Sequence, residues 1–110
     1  MSKSITITYN GEDYTLEFTR RTVREMEGAG FKITDIRSKP MSTYPKLVAG
    51  AFKCHHKKVD EATAFDKIYA SITNKEAFIE KLIEMYGDTL NTLFEEPEES
   101  EKNAEWKANF

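Results

Sequence analysis

Apolar and polar residues alternate almost from the start of the chain. Ile5, Ile7 and Tyr9 are separated by single threonines, and Tyr14, Leu16 and Phe18 are spaced in the same way. A period of two places each trio on one face of a β-strand. Asn10 and Gly11 lie between the runs, and both tolerate the positive φ of a type I′ turn, so the segment predicts a β-hairpin. A two-residue turn would pair Ile7 with Tyr14, whereas a four-residue loop would pair Tyr9 with Tyr14. Both registers keep the apolar residues together, and the pattern leaves the choice open. A lone hairpin is marginally stable, so its apolar face must rest on other elements.

Beyond the hairpin the period lengthens to that of helices. Thr19 is placed to cap a helix running to about Gly28, with Val23 and Met26 inward and Arg20, Arg21, Arg24 and Glu25 outward. Gly28 and Gly30 are expected to end it. Phe31, Ile33 and Ile36 alternate loosely and suggest an extended segment that covers the core or adds a third strand, with a loop at 37–41. Ser42 or Thr43 is expected to open the next helix, with Pro45 in its first turn. Leu47, Val48, Ala51, Phe52 and His55 then share one face. Asp60 is expected to cap a helix from Glu61 to about Ile72, with Ala62, Phe65, Ile68 (or Tyr69) and Ile72 inward. Thr73 and Glu76 are spaced as a capping box ahead of a helix presenting Phe78, Ile79, Leu82, Ile83 and Tyr86. Gly87 is expected to end that helix, and Asp88 to start a short last one carrying Leu90, Leu93 and Phe94. A hairpin followed by four or five helices is an α+β arrangement, assigned to one domain over 1–94.

After Phe94 the pattern stops. Residues 95–110 hold six glutamates and two lysines, a net of −4, which accounts for more than the whole formal charge of −3 and leaves the body near +1. Most of this stretch lacks apolar side chains able to offset its ordering entropy, so a mobile acidic tail is expected. Trp106 and Phe110 are the exception. At i, i+4 spacing they would share a face if the segment became helical. They are expected either to fold back onto the domain or to form an aromatic hook for a partner's groove.

The remaining composition narrows the class. A chain of 110 residues with one cysteine, Cys54, holds no internal disulfide. No apolar run is long enough to span a bilayer, and no signal-peptide core precedes the first strand, so a cytoplasmic, non-membrane protein is expected. The common catalytic signatures and phosphate loops are missing, and neither an enzyme nor a cofactor is expected. Cys54, His55 and His56 raise the question of a metal. Adjacent helical histidines point about 100° apart, and no further Cys or His completes a set. The expectation is therefore no metal, with Cys54 a small core filler, His55 partly buried and His56 exposed.

Candidate binding residues remain. Lys53, His55, His56, Lys57 and Lys58 make a basic end to the second helix, which either stabilises that helix terminus or docks an acidic partner or the chain's own acidic tail. Arg20, Arg21 and Arg24 form a second basic cluster, unfavourably placed at a helix N-terminus. Ala49 and Gly50 offer a small-residue face for close approach. With Trp106 and Phe110 these complete the candidate partner-binding set. No nucleic-acid signature is visible, and nucleic acid is not an expected partner.

The order of several segments resembles a known family. They are ITITYNGEDYTLEFTRRTV, the glycine stop before GFKITDI, KPMSTYPKLVAGAF, AFIEKLIEMYGDTLNTLFEEPEE and the closing NAEWKANF. Together they are similar to the small tail assembly chaperone-like proteins of long-tailed phages and prophages of Gram-positive bacteria. The resemblance implies a non-catalytic protein that binds the tape measure protein and tail tube subunits in the host cytoplasm and is absent from the finished virion. It also implies that a frameshifted longer form can exist, and it leaves association between copies open. The alternatives are a small phage-encoded regulator or inhibitor of a host protein, and a structural tail or head-completion subunit.

Overall fold

The computed structural model of the chain describes residues 3–96 and 104–110. Strands β1 (Ile5–Tyr9) and β2 (Glu12–Leu16) pair antiparallel. Ile7 faces Tyr14 and Tyr9 faces Glu12, so the two-residue register is the one adopted. Asn10 and Gly11 sit at φ 52° and 80°, as a type I′ turn requires.

Helix α1 spans Arg20–Gly28. Its cap is reciprocal: the Thr22 amide donates to Thr19 Oγ1 at 3.2 Å, and the Thr19 amide donates to Thr22 Oγ1 at 2.9 Å. Threonine thus does the work usually given to glutamate at the third helical position. Gly30, at φ 97°, turns the chain out of the helix and lets the Phe31 amide reach the Met26 carbonyl at 2.9 Å. Phe31 is buried. The expected extended segment or third strand does not form; Ile33–Ile36 is a turn of 3₁₀ helix.

Helix α2 runs Pro40–Lys53 and starts earlier than the Ser42 or Thr43 expected. Pro40 occupies the first-turn position assigned to Pro45. Pro45 lies inside the helix, where its missing N–H leaves the carbonyl four residues back, on the exposed Met41, to solvent. The buried face carries Leu47, Val48, Ala51 and Phe52, all fully buried. His55 falls beyond the helix end and is exposed, while His56 is half-buried, the reverse of the expectation. Cys54 is also half-buried rather than a core filler.

The next helix is capped by Asp60, whose Oδ1 accepts from the Thr63 amide at 2.8 Å. Over Ala62–Tyr69 it is a π-helix. The wider turn moves the inward positions to Ala64 and Ile68, four apart, and leaves Ala62 exposed. Ile68 is buried as expected, and Phe65, Tyr69 and Ile72 pack against the core at its margin, so the misplaced position is Ala62.

Helix α3 is the longest, Lys75–Asn91. The expected Thr73–Glu76 capping box is absent. Asn74 precedes the helix in the left-handed conformation, φ 55°, without a side-chain cap. Ile79, Leu82, Met85 and Tyr86 are buried, with Phe78 and Ile83 packed at the margin. Gly87 does not end the helix, and Asp88 caps nothing. The helix passes through both because Thr89 beyond them is buried, its Oγ1 donating to the Phe18 and Met85 carbonyls at 3.3 and 3.0 Å. Asp88 Oδ2, hidden from solvent, is held as an ion pair 2.9 Å from Lys3 Nζ. A 3₁₀ turn, Thr92–Phe94, follows, and Leu93 and Phe94 point outward rather than into a core.

The core lies between the hairpin's apolar face, α2 and α3. Tyr86 sits at its centre, 1% exposed, with the Phe18 and Phe31 rings edge-on, each 5.4 Å away. Acidic residues 97–103, assigned to the mobile tail, lie outside the described residues.

Two predictions follow from α3. A Cβ on Gly87 would meet nothing within 4 Å. Gly87→Ala should therefore raise stability by about 0.5–1 kcal/mol in urea unfolding, whereas a glycine ending the helix would give a loss. Burial, with a smaller contribution from Glu27, pushes the Tyr86 phenol up from 10.0 to about 12. The folded state then holds this proton where the unfolded chain has lost it. Its contribution is complete below about pH 10 and fades as pH rises toward about 12, for a loss of roughly 2–3 kcal/mol. Denaturation midpoints across that window should fall more steeply for the native sequence than for Tyr86→Phe.

Candidate functional site

The chemistry-bearing residues gather where β2 meets the end of α2. In this hairpin register the amides of Thr15 and Glu17 point away from β1. Both find acceptors in the last turns of α2 or just past its end. The Glu17 amide donates to the Ala51 carbonyl at 3.0 Å, and the Thr15 amide donates to His56 Nε2 at 2.9 Å. The second bond requires an unprotonated Nε2, and so fixes the neutral tautomer of His56 with its proton on Nδ1. The Tyr14 and Phe52 rings, with centroids 5.1 and 6.3 Å from the imidazole, hold it in place.

With His56 bonded to the Thr15 amide, His55 reaches the next outward residue along the same edge, its ring centroid 6.4 Å from that of His56. His55 Nε2 lies 2.8 Å from Glu17 Oε1. Donor atoms of Glu17, Cys54 and His55 all lie within 4.8 Å of one another. Burial pushes the Cys54 thiol up, the Glu17 charge adds to this, and Lys57 opposes both. The expectation of no metal set rested on the lack of a further Cys or His. Glu17, distant in sequence, supplies a third donor that spacing within the CHH run could not reveal. Cys54 and His55 border a surface depression together with Glu12, Lys57 and Lys58.

A second feature is a cleft between α1 and α2 of about 240 Å³. Met26, Ala29, Phe31, Ala49 and Gly50 form its apolar lining, and Glu25, Lys46, Lys53 and Glu61 charge its rim. Its volume falls below the roughly 300 Å³ at which small-molecule sites begin, and suits one side chain better than a ligand. Gly50 is small because α1 crosses it: an added Cβ would stand 2.5 Å from Met26 Sδ. The small-residue face thus serves the chain's own helix packing as well as the cleft.

The basic residues do not act as one patch. Arg20 Nε donates to Thr92 Oγ1 at 2.7 Å, and its guanidinium also reaches the Thr92 carbonyl. Its charge sits at the C-terminus of α3, where a cation is favourable, which accounts for an arginine at the start of α1. Arg21 pairs with Glu25 at 3.7 Å, and Arg24 is exposed. Lys53 closes α2 and lies 3.5 Å from the Val59 carbonyl, while Lys57 and Lys58 are exposed.

Large apolar side chains also stand outside the core. Met41, Leu93, Phe94 and Trp106 are between 68 and 89% exposed, and Phe110 is fully exposed. Residues 104–110 are not helical, so Trp106 and Phe110 share no helix face and do not fold back onto the core.

Over residues 1–110 the chain matches the family model described as Domain of unknown function (DUF5055). No curated protein and no solved structure matches it.

The bond at the strand edge makes a direct prediction. His56→Ala should cost about 1–3 kcal/mol, because the outward Thr15 amide loses its acceptor. Hydrogen exchange should speed up at the Thr15 amide more than at Ile7 or Tyr14, which face each other inside the hairpin.

Proposed function

The chain belongs to the DUF5055 family, and within that family we propose that it is a non-catalytic protein-binding module that serves as a phage tail assembly chaperone. The observation that carries this reading is the set of large apolar side chains left outside the core at Met41, Leu93, Phe94, Trp106 and Phe110. Large apolar groups left exposed at the start of α2, at the end of α3 and in residues 104–110 gain by being covered by a partner. Tryptophan and phenylalanine are the side chains that concentrate binding energy when a partner encloses them.

The client proposed is the tape measure protein, a long helical chain, together with tail tube subunits. A helical client presents side chains at i, i+3 and i+4, which the one-side-chain cleft between α1 and α2 can take singly. Lys46, Lys53, Glu25 and Glu61 around the rim favour a client with mixed charges beside its apolar stripe. Action in the host cytoplasm and absence from the finished virion belong to the same proposal. No described helix is long and apolar enough to cross a membrane.

Co-expression with tape measure fragments from the same genome tests the reading. The full chain should keep the fragments soluble and co-purify with them. Trp106→Ala with Phe110→Ala should weaken capture by about tenfold or more. If a 1–94 truncation captures the client as well as the full chain does, binding lies on the folded body and its cleft. Failure of every form to bind or solubilise the client would remove the chaperone reading and favour a regulator of a host protein.

A further inference from the structure

We propose that Glu17, Cys54 and His55 form a binding site for one zinc ion. Three different donors converge there from two parts of the chain, a carboxylate following β2 and a thiol and imidazole following α2. Their spread, within 4.8 Å, is close to what one small cation needs. In a tetrahedral zinc site neighbouring donors stand about 3.3–3.6 Å apart. The Glu17–His55 contact, at 2.8 Å, has to open slightly and the wider separation has to close. His55, with 42% of its side chain exposed, has room to make that adjustment.

The donor chemistry selects the ion. A thiolate and an imidazole suit zinc and disfavour magnesium and calcium, which seek oxygen. Glu17 is half-buried and its backbone is pinned by the Ala51 carbonyl, so the carboxylate is held at the site by the fold. His56 is committed to the Thr15 amide, which leaves His55 as the histidine turned toward Glu17. Binding releases the Cys54 thiol proton to solvent, and His55, whose Nε2–H donates to the Glu17 carboxylate without the ion, moves to the tautomer protonated at Nδ1, so that Nε2 and the carboxylate bond the metal instead of each other. Three protein donors leave a fourth position for water. Cys54 and His55 border an open depression through which water and the ion can arrive. The nearby lysines, Lys57 and Lys58, are exposed and screened by salt.

The site is independent of the chaperone reading, and its test uses the metal alone. The metal-free full chain is titrated with Co²⁺ as a spectroscopic probe, and then with Zn²⁺ by calorimetry. One equivalent of Co²⁺ should bind with a thiolate-to-cobalt charge-transfer band, and Zn²⁺ should displace it. Cys54→Ser should abolish the band, and Glu17→Gln and His55→Asn should each weaken binding by more than about tenfold. Zn²⁺ should also slow alkylation of Cys54 in the unmutated chain, a readout that requires no variant to fold. Absence of the band together with unprotected Cys54 would overturn the proposal, as would stoichiometric binding that survives Cys54→Ser. The first result would leave Glu17 and His55 as a hydrogen-bonded pair.

Discussion

The outer edge of β2 has to be closed, and much of the molecule follows from how that is done. A two-stranded hairpin leaves a row of outward amides that would otherwise recruit another chain. Here the Ala51 carbonyl and the His56 imidazole accept from Glu17 and Thr15, so one helix end seals the strand. The seal sets the distance between hairpin and α2, which lets Tyr14 lie 5.7 Å from the Phe52 ring and buries Leu16 completely. It also delivers Glu17 to Cys54 and His55. The side-chain cluster is therefore brought together by edge protection, with the Glu17–His55 contact added to the bonds that seal the strand.

A second set of ties draws the far end of α3 back to the start of the helical region. Thr89 reaches the Phe18 carbonyl, Arg20 reaches Thr92, and Lys3 reaches Glu84 and Asp88. The ion pairs are exposed and individually weak. The buried contributions are Tyr86, ringed by Phe18 and Phe31, and the Thr89 hydroxyl. Together they offset the roughly 1 kcal/mol that a glycine inside α3 costs relative to alanine. The 3₁₀ turn at its end then projects Leu93 and Phe94 into solvent. The contacts that lengthen α3 are thus what place two of the exposed apolar groups on the surface.

The proposed activities occupy different regions. The apolar groups offered to a protein client lie at the start of α2, at the end of α3 and in residues 104–110. The donor cluster lies at the junction of β2 with the end of α2. A client can cover the first set without displacing an ion from the second. Away from the donor cluster, Tyr86 and Tyr69 rise chiefly through burial, and Asp60 falls because its carboxylate accepts from Thr63. None of these three belongs to the donor cluster.

Local rules made part of this protein legible from its residues alone. Asn10-Gly11 and the period-two runs led to the hairpin, Thr19 to the cap of α1, and the i, i+3, i+4 spacing to the buried faces of α2 and α3. Each depends on neighbours within a few positions, and so can be read along the chain. The remaining features depended on partners distant in sequence. Gly87 stays helical because Thr89 bonds to Phe18; His56 is half-buried because Thr15 needs an acceptor; and the π-helical stretch shifts burial from Ala62 to Ala64. Glu17 meets His55 across 38 positions. Propensity and periodicity carry no term for such contacts, because their free energy arises only when the hairpin and helices are already packed. The sequence alone determined the elements and most of their inward faces, while tertiary packing decided where those elements end and which polar groups share a site.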